Sequence, residues 1–177
     1  MKLLSDILYK TRIEEITGST NMAISSVTFD SRKVKKDSLF IATVGVTVDG
    51  HSYIDKAIEL GAIAIVCETL PKQIQEHITY IKVLNSSESL GYIACNFYDN
   101  PSERLRLIGI TGTNGKTTTV TLLFNLFKGL GYQVGLLSTV ENKINNVVIP
   151  STHTTPDALS LNEMLSQMVE QGCQYAF

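Results

Sequence analysis

Gly112, Gly115, Lys116 and Thr117 fall close together within the run Gly109-Ile110-Thr111-Gly112-Thr113-Asn114-Gly115-Lys116-Thr117-Thr118-Thr119. Residues of these types at this spacing can hold a polyphosphate. Glycines let backbone N–H groups approach an anion without interference from Cβ, and a helix starting just beyond them aims its positive dipole end at the same point. Lys116 adds a point charge for the terminal phosphates, and the Thr117 hydroxyl can complete a magnesium shell shared with them. The expected ligands are therefore ATP and Mg2+. The nucleotide contacts are Gly112, Thr113, Asn114, Gly115, Lys116, Thr117 and Thr118, with Lys116 and Thr117 as the catalytic pair and Thr117 as the metal ligand.

Such a loop needs a strand before it and a helix after it. Leu105 to Ile110 is an apolar run suited to a buried strand, and Thr117 to Lys128 has apolar residues at helical spacing. The usual G-x-x-x-x-G-K-T pattern would place glycine at position 110, where this chain has Ile110; its glycines stand at 109, 112 and 115. The bland alternative is an ordinary strand-to-helix turn carrying an exposed lysine.

The 177 residues, 44% hydrophobic, can bury one good core or two small ones. A net charge of −2 leaves no electrostatic footprint for nucleic acid or an anionic membrane. The opening Met-Lys-Leu-Leu-Ser-Asp lacks the apolar core of a signal peptide, and no stretch reaches membrane-spanning length, so a cytoplasmic location is expected. Cys67, Cys95 and Cys173 are far apart and without a metal-binding spacing, which suits buried free thiols.

Ahead of the loop, strands alternate with helices. The expected order is a helix over Leu3 to Tyr9, a strand over Ile24 to Phe29 and another over Leu39 to Thr43, joined by a basic connection from Arg32 to Lys36. That connection is either a solvated turn or, with the Ser31 hydroxyl, a place for an anionic ligand. After a loop at Gly45 to His51 come a helix from Tyr53 to Leu60, strands over 62–67 and 80–84, and a helix from Ser87 to Tyr98. Asp99 to Ser102 reads as a linker. The expected architecture is α/β: a small N-terminal α/β domain over 1–99, then over 103–177 the first part of a P-loop parallel-sheet ATPase domain. Beyond the loop follow a strand over Val134 to Ser138, a hairpin over 144–149 and a helix from Ala158 to Gln171. Thr155 is the expected N-cap of that helix, and a strand begins at Cys173.

The string G-I-T-G-T-N-G-K-T-T-T resembles the ATP loop of the Mur ligases and of folylpolyglutamate synthetase. In the first half, Phe29-Asp30-Ser31-Arg32, then Asp37-Ser38-Leu39-Phe40-Ile41-Ala42, Gly45, Asp49-Gly50-His51 and Gly61-Ala62 also resemble the N-terminal domain of Mur ligases. Thr152-His153-Thr154-Thr155-Pro156-Asp157 is similar to a segment of the MurE branch, which makes UDP-MurNAc-tripeptide. The resemblance implies a ligase of peptidoglycan precursor synthesis that adds a diamino acid, meso-diaminopimelate or L-lysine, to UDP-MurNAc-L-Ala-D-Glu through an acyl phosphate.

It also implies substrate contacts at Phe29, Ser31, Val46, Thr47 and Val48 for the UDP end and at His153, Thr154 and Thr155 for the muramoyl dipeptide. Before the resemblance, His153 is equally well a loop histidine with one local hydrogen bond; His51 and His77 receive no role. Family members are more than twice this long, so the chain is expected to lack the C-terminal amino-acid-binding domain and to bind substrate without turnover. An open sheet edge would then favour self-association, which light scattering at rising concentration tests. The alternatives are a MurF-type or folylpolyglutamate synthetase-like enzyme, and a non-catalytic UDP-sugar-peptide binding module.

Overall fold

The computed structural model describes residues 1–45, 48–149 and 156–177. The expected contact residues Val46, Thr47, His153, Thr154 and Thr155 lie outside them. The chain forms two compact units, Met1–Phe97 and Tyr98–Phe177.

In the first unit, β1 (Lys2–Leu3) leads into α1 (Leu4–Ile7), and β2 (Ile13–Thr17), β3 (Ala23–Ile24) and β4 (Ser26–Thr28) follow. Next come β5 (Ser38–Ile41), α2 (Ile54–Glu59), β6 (Ala62–Cys67), β7 (Thr79–Val83) and α3 (Ser86–Phe97). Five strands form one sheet in the order β2-β7-β6-β5-β4. β4 through β7 run parallel, and β2 closes one edge antiparallel to β7. The inner strands read as unbroken apolar runs because both sheet faces are covered. Leu39, Ile41, Ala64, Val66, Ile81 and Val83 pack with α1 and α3 residues on one face. Phe40, Ala42, Ile65, Cys67 and Tyr80 pack with α2 residues on the other. Burial pushes the Cys67 thiol up to about 11, so it stays an inert thiol at neutral pH.

The second unit contains α4 (Pro101–Arg104), β8 (Arg106–Leu107), α5 (Lys116–Gly129), β9 (Val134–Leu137), β10 (Asn142–Ile144), β11 (Val147–Ile149), α6 (Ala158–Glu170) and β12 (Tyr175–Ala176). Its sheet order is β11-β10-β9-β12-β8. β9, β12 and β8 are parallel, while β10 and β11 form an antiparallel hairpin against β9. Val120 and Phe124 of α5 pack with Val134, Leu136 and Phe177. Leu165 and Met168 of α6 pack with Ile144 and Ala176, so the two helices cover opposite faces. β8 therefore delivers the chain to the carboxyl end of a parallel sheet, the usual place for ligands in α/β folds.

Several boundaries differ from the expectation. The strand before the glycine loop pairs only at Arg106–Leu107, although Ile108 N–H still donates to Ala176 O at 2.9 Å. Within the segment read as a linker, Asp99 and Asn100 have left-handed backbone, and Pro101 begins the short helix α4. Proline suits the first helical position because its missing N–H would have no partner there. The cap of α6 is Asp157 rather than Thr155, and its carboxylate accepts from Ser160 N–H at 2.9 Å and Ser160 Oγ at 2.7 Å.

Partial burial would by itself raise the Asp157 carboxyl, but the hydrogen bonds from Ser160 leave it below the ordinary aspartate value. A depressed folded-state pKa means that this stabilisation is present above the unfolded value of about 3.9 and is lost as pH falls through the folded one. Asp157→Ala is expected to lower stability by about 1 kcal/mol at neutral pH. The difference between the two melting curves is expected to shrink as the buffer is acidified below about pH 4; a gap that stays constant would show that the carboxylate is not the cap.

Candidate functional site

The second unit holds the glycine loop. Gly112 has φ +151° and Gly115 has φ +80°, and Gly115 is the N-cap of α5. At Gly115 any side chain would be strained by the left-handed backbone, and that conformation turns the chain directly into the helix. Among the described residues no side chain caps α5, whose first intrahelical bond is Thr119 N–H to Gly115 O at 2.9 Å. The preceding amides at the helix start thus have no intrahelical acceptor.

The other two long helices are different. α6 is capped by Asp157, and at the start of α3 the Glu68 carboxylate accepts Ser86 N–H at 2.8 Å and Asn85 Oδ1 accepts Glu88 N–H at 2.8 Å. Only α5 among the three presents open amides beside a cation. Lys116 is exposed, and its ammonium donates to Gly112 O at 2.6 Å and more weakly to Thr113 O at 3.5 Å. Thr113, Asn114 and Thr118 are exposed with it and Thr117 is half-buried. The loop brings the seven expected nucleotide contacts to one helix end.

The first unit holds a cleft of about 480 Å³ lined by Phe29, Asp30, Ser31, Arg32, Phe40, Thr43, Val48, Gly50 and Tyr53. Three of the expected contacts, Phe29, Ser31 and Val48, line it together. Asp30 organises the polar side. Its carboxylate accepts Arg32 N–H at 3.0 Å, capping the 3-10 turn Ser31–Lys33, and grips the Arg32 guanidinium at 2.9 and 2.8 Å. The bond from Arg32 outweighs desolvation and holds the Asp30 carboxyl below the usual carboxylate range. The aromatic rings and the exposed guanidinium give the cleft a flat apolar wall beside a fixed cation, which suits a planar base attached to an anion.

The far wall is a hairpin. Val44 and Asp49 form an antiparallel bridge, Gly45 N–H donates to Val48 O at 3.0 Å, and Gly50 N–H donates to Thr43 O at 2.9 Å. Gly50 is required by close approach, because a Cβ there would lie 2.8 Å from Thr43 O and 2.9 Å from Thr43 N. Asp49 accepts His51 N–H at 2.9 Å and His51 Nδ1–H at 2.6 Å; these bonds lower its carboxyl pKa. Arg32 falls within the basic connection read from sequence as either a solvated turn or a place for an anionic ligand, whereas no role was given to Phe40, Thr43 and Tyr53 of the lining or to His51 beside it. The Asp-Gly-His triplet was the available signal for the last.

Among the described residues no group of three or more His, Cys, Asp or Glu side chains can hold a metal ion, and no helix is long and apolar enough to cross a membrane.

Comparison with known proteins places both sites in context. Residues 110–177 match the family model described as the Mur ligase middle domain, and residues 23–98 match the one described as Mur ligase family, catalytic domain. The UDP-N-acetylmuramoyl-L-alanyl-D-glutamate–2,6-diaminopimelate ligase of Cytophaga hutchinsonii is 54% identical over 175 residues, covering 98% of this chain and 36% of the relative. The ligase of the same name from Bacteroides fragilis is 49% identical over 174 residues, again 98% of this chain and 36% of the relative. The chain thus spans about a third of the length of the curated relatives it matches. A solved ligase of that name matches with TM-score 0.75 at 25% identity, covering 99% of this chain and 35% of that one. The MurF ligase of Thermotoga maritima in complex with ADP matches with TM-score 0.54 at 26% identity over 80% of this chain and 28% of that one.

Proposed function

Because this chain belongs to the Mur ligase family, we propose that its second unit binds ATP at the start of α5 and its first unit binds the uridine diphosphate end of UDP-MurNAc-L-Ala-D-Glu. For the whole protein, the proposed reaction is the amide ligation named for its relatives. An oxygen of the D-Glu side-chain carboxylate attacks the γ-phosphorus of ATP and ADP leaves. The amine of 2,6-diaminopimelate then attacks the acyl phosphate, inorganic phosphate leaves with the C–O bond electrons, and the nitrogen loses a proton to give the amide. A carboxylate is a poor electrophile until one oxygen is phosphorylated, so the first step depends on fixed positive charge around the moving phosphoryl group.

The observation that carries this reading is the start of α5: a left-handed Gly115 and, among the described residues, amides with no capping side chain and an exposed lysine bonded only to carbonyls of its own loop. On nucleotide binding, the Lys116 ammonium would exchange the Gly112 carbonyl for phosphate oxygens while the loop amides hold the β-phosphate. Magnesium, when bound with the nucleotide, supplies further positive charge to those oxygens, and the Thr117 hydroxyl is the group here suited to hold it. In the first unit, Phe29 and Tyr53 would sandwich or edge the uracil, with Ser31 and Arg32 toward the diphosphate. Val46 and Thr47 are assigned to the same ligand, and His153, Thr154 and Thr155 to the muramoyl dipeptide, on the family resemblance of their motifs. A cytoplasmic location follows from this substrate.

Calorimetric titration tests the two assignments separately. The 177 residues are expected to bind UDP in the absence of nucleotide, and magnesium ADP in the absence of UDP. Failure of either titration sinks the corresponding site. Phosphate release with both substrates present is expected to stay far below that of the full-length relatives, since these residues make up 36% of such a chain; release at an equal rate would overturn the expectation.

A further inference from the structure

We infer that His51 is the positioning residue of the cleft in the first unit. It fastens the hairpin wall to the end of β6 and so fixes where Thr43, Val48 and Gly50 stand. The imidazole Nε2 accepts Glu68 N–H at 2.8 Å and, more weakly, Thr69 N–H at 3.3 Å. A ring nitrogen that accepts has no hydrogen of its own, so the proton of the neutral ring resides on Nδ1, which donates it to the Asp49 carboxylate at 2.6 Å. Both nitrogens are thus occupied, and the side chain is only 16% exposed. His51 has no free position from which to take a proton from a ligand. Its function is attachment.

The attachment is rigid at its far end. Glu68, whose amide meets His51, turns its own carboxylate to Ser86 N–H and Ser86 Oγ at 2.8 and 2.7 Å, which ties β6 to the first turn of α3. These bonds to Ser86 hold the Glu68 carboxyl below its ordinary value. At the near end, Asp49 also caps the 3-10 turn Gly50–Tyr53, so the imidazole and the peptide N–H of His51 converge on one carboxylate oxygen. Hairpin, turn and Tyr53 therefore share one anchor, and a loop held at only its covalent ends would lose ligand contacts to conformational entropy.

The proposal rests on the UDP reading only for the choice of probe. Its test compares the 177-residue chain with His51→Gln, His51→Asn and His51→Ala. Glutamine can place an acceptor near the Nε2 position, asparagine can replace only the Nδ1 donor, and alanine replaces neither. UDP titration is expected to show affinity within about 3-fold of the parent for His51→Gln, and a loss of about 10-fold for His51→Asn and His51→Ala, the scale of one or two hydrogen bonds. Amide exchange of Glu68 and Gly50 is expected to quicken in the latter two and not in the first.

Parent-like UDP affinity in His51→Ala overturns the proposal, as does His51→Asn matching His51→Gln in both readouts. Should alanine prevent folding, the asparagine and glutamine pair still decides. Should the unaltered chain not bind UDP, the assignment of the cleft falls, and the exchange rates of Gly50 and Glu68 alone decide the anchor.

Discussion

Lys116→Ala is expected to weaken magnesium ADP binding by roughly 10- to 150-fold, the equivalent of losing one charge-assisted hydrogen bond worth about 1.5–3 kcal/mol. The fold is expected to survive unchanged, because the side chain is exposed and, among the described residues, bonds only to the carbonyls of Gly112 and Thr113. UDP affinity, which we assign to the first unit, is expected to stay at the parental value and serves as the internal control. Lys116→Arg is not expected to rescue, since a planar fork cannot replace a compact ammonium inside a tight glycine turn. Nucleotide affinity indifferent to the alanine would mean that the loop is an ordinary turn with a surface lysine.

Gly50→Ala is the second large effect. A Cβ at this position would stand 2.8, 2.9 and 3.1 Å from three backbone atoms of Thr43 and Ala42, just beyond β5, where Ala42 N–H is held by Val66 O at 2.8 Å. Such overpacking is expected to cost about 1–3 kcal/mol and to displace the wall of the cleft, so UDP binding is lost along with stability. Gly91→Ala supplies the opposite sign. Gly91 lies within α3 with nothing near its missing Cβ, and there alanine is expected to stabilise by about 0.5–1 kcal/mol. Equal melting temperatures for the two variants would refute the steric argument.

What the sequence made legible follows from where each signal resides. The glycine loop and α5 were readable because their residue types are dictated locally: glycine for positive φ, then lysine and threonine at a helix start. The central strands β5, β6 and β7 were readable because two-sided burial leaves unbroken apolar runs. β2 was not. Ile13-Glu14-Glu15-Ile16-Thr17 is an exposed edge strand, held by pairing with β7 and by the Glu14–Lys82 ion pair at 3.0 Å, and nothing in its composition announces a strand. β8 is shorter than its apolar run because its ladder with β12 covers Arg106 and Leu107 and ends with the single bond from Ile108 N–H to Ala176 O. The cap of α6 was misplaced because Thr155 and Asp157 are both good capping types and Ser160 decides between them. His51 escaped notice because its partners are backbone amides seventeen and eighteen positions away, which no local spacing encodes.

The placement of β12 constrains the order in which the second unit can assemble on the ribosome. β8 and β9 are joined through α5 yet never touch as neighbours; the strand between them comes from Tyr175–Ala176. Until those residues emerge, β8 has no strand to pair with beneath the nascent glycine turn and Phe124 has no Phe177 to pack against. The first unit spans Met1–Phe97 and waits for none of these residues, so during synthesis its sheet is expected to form well before that of the second.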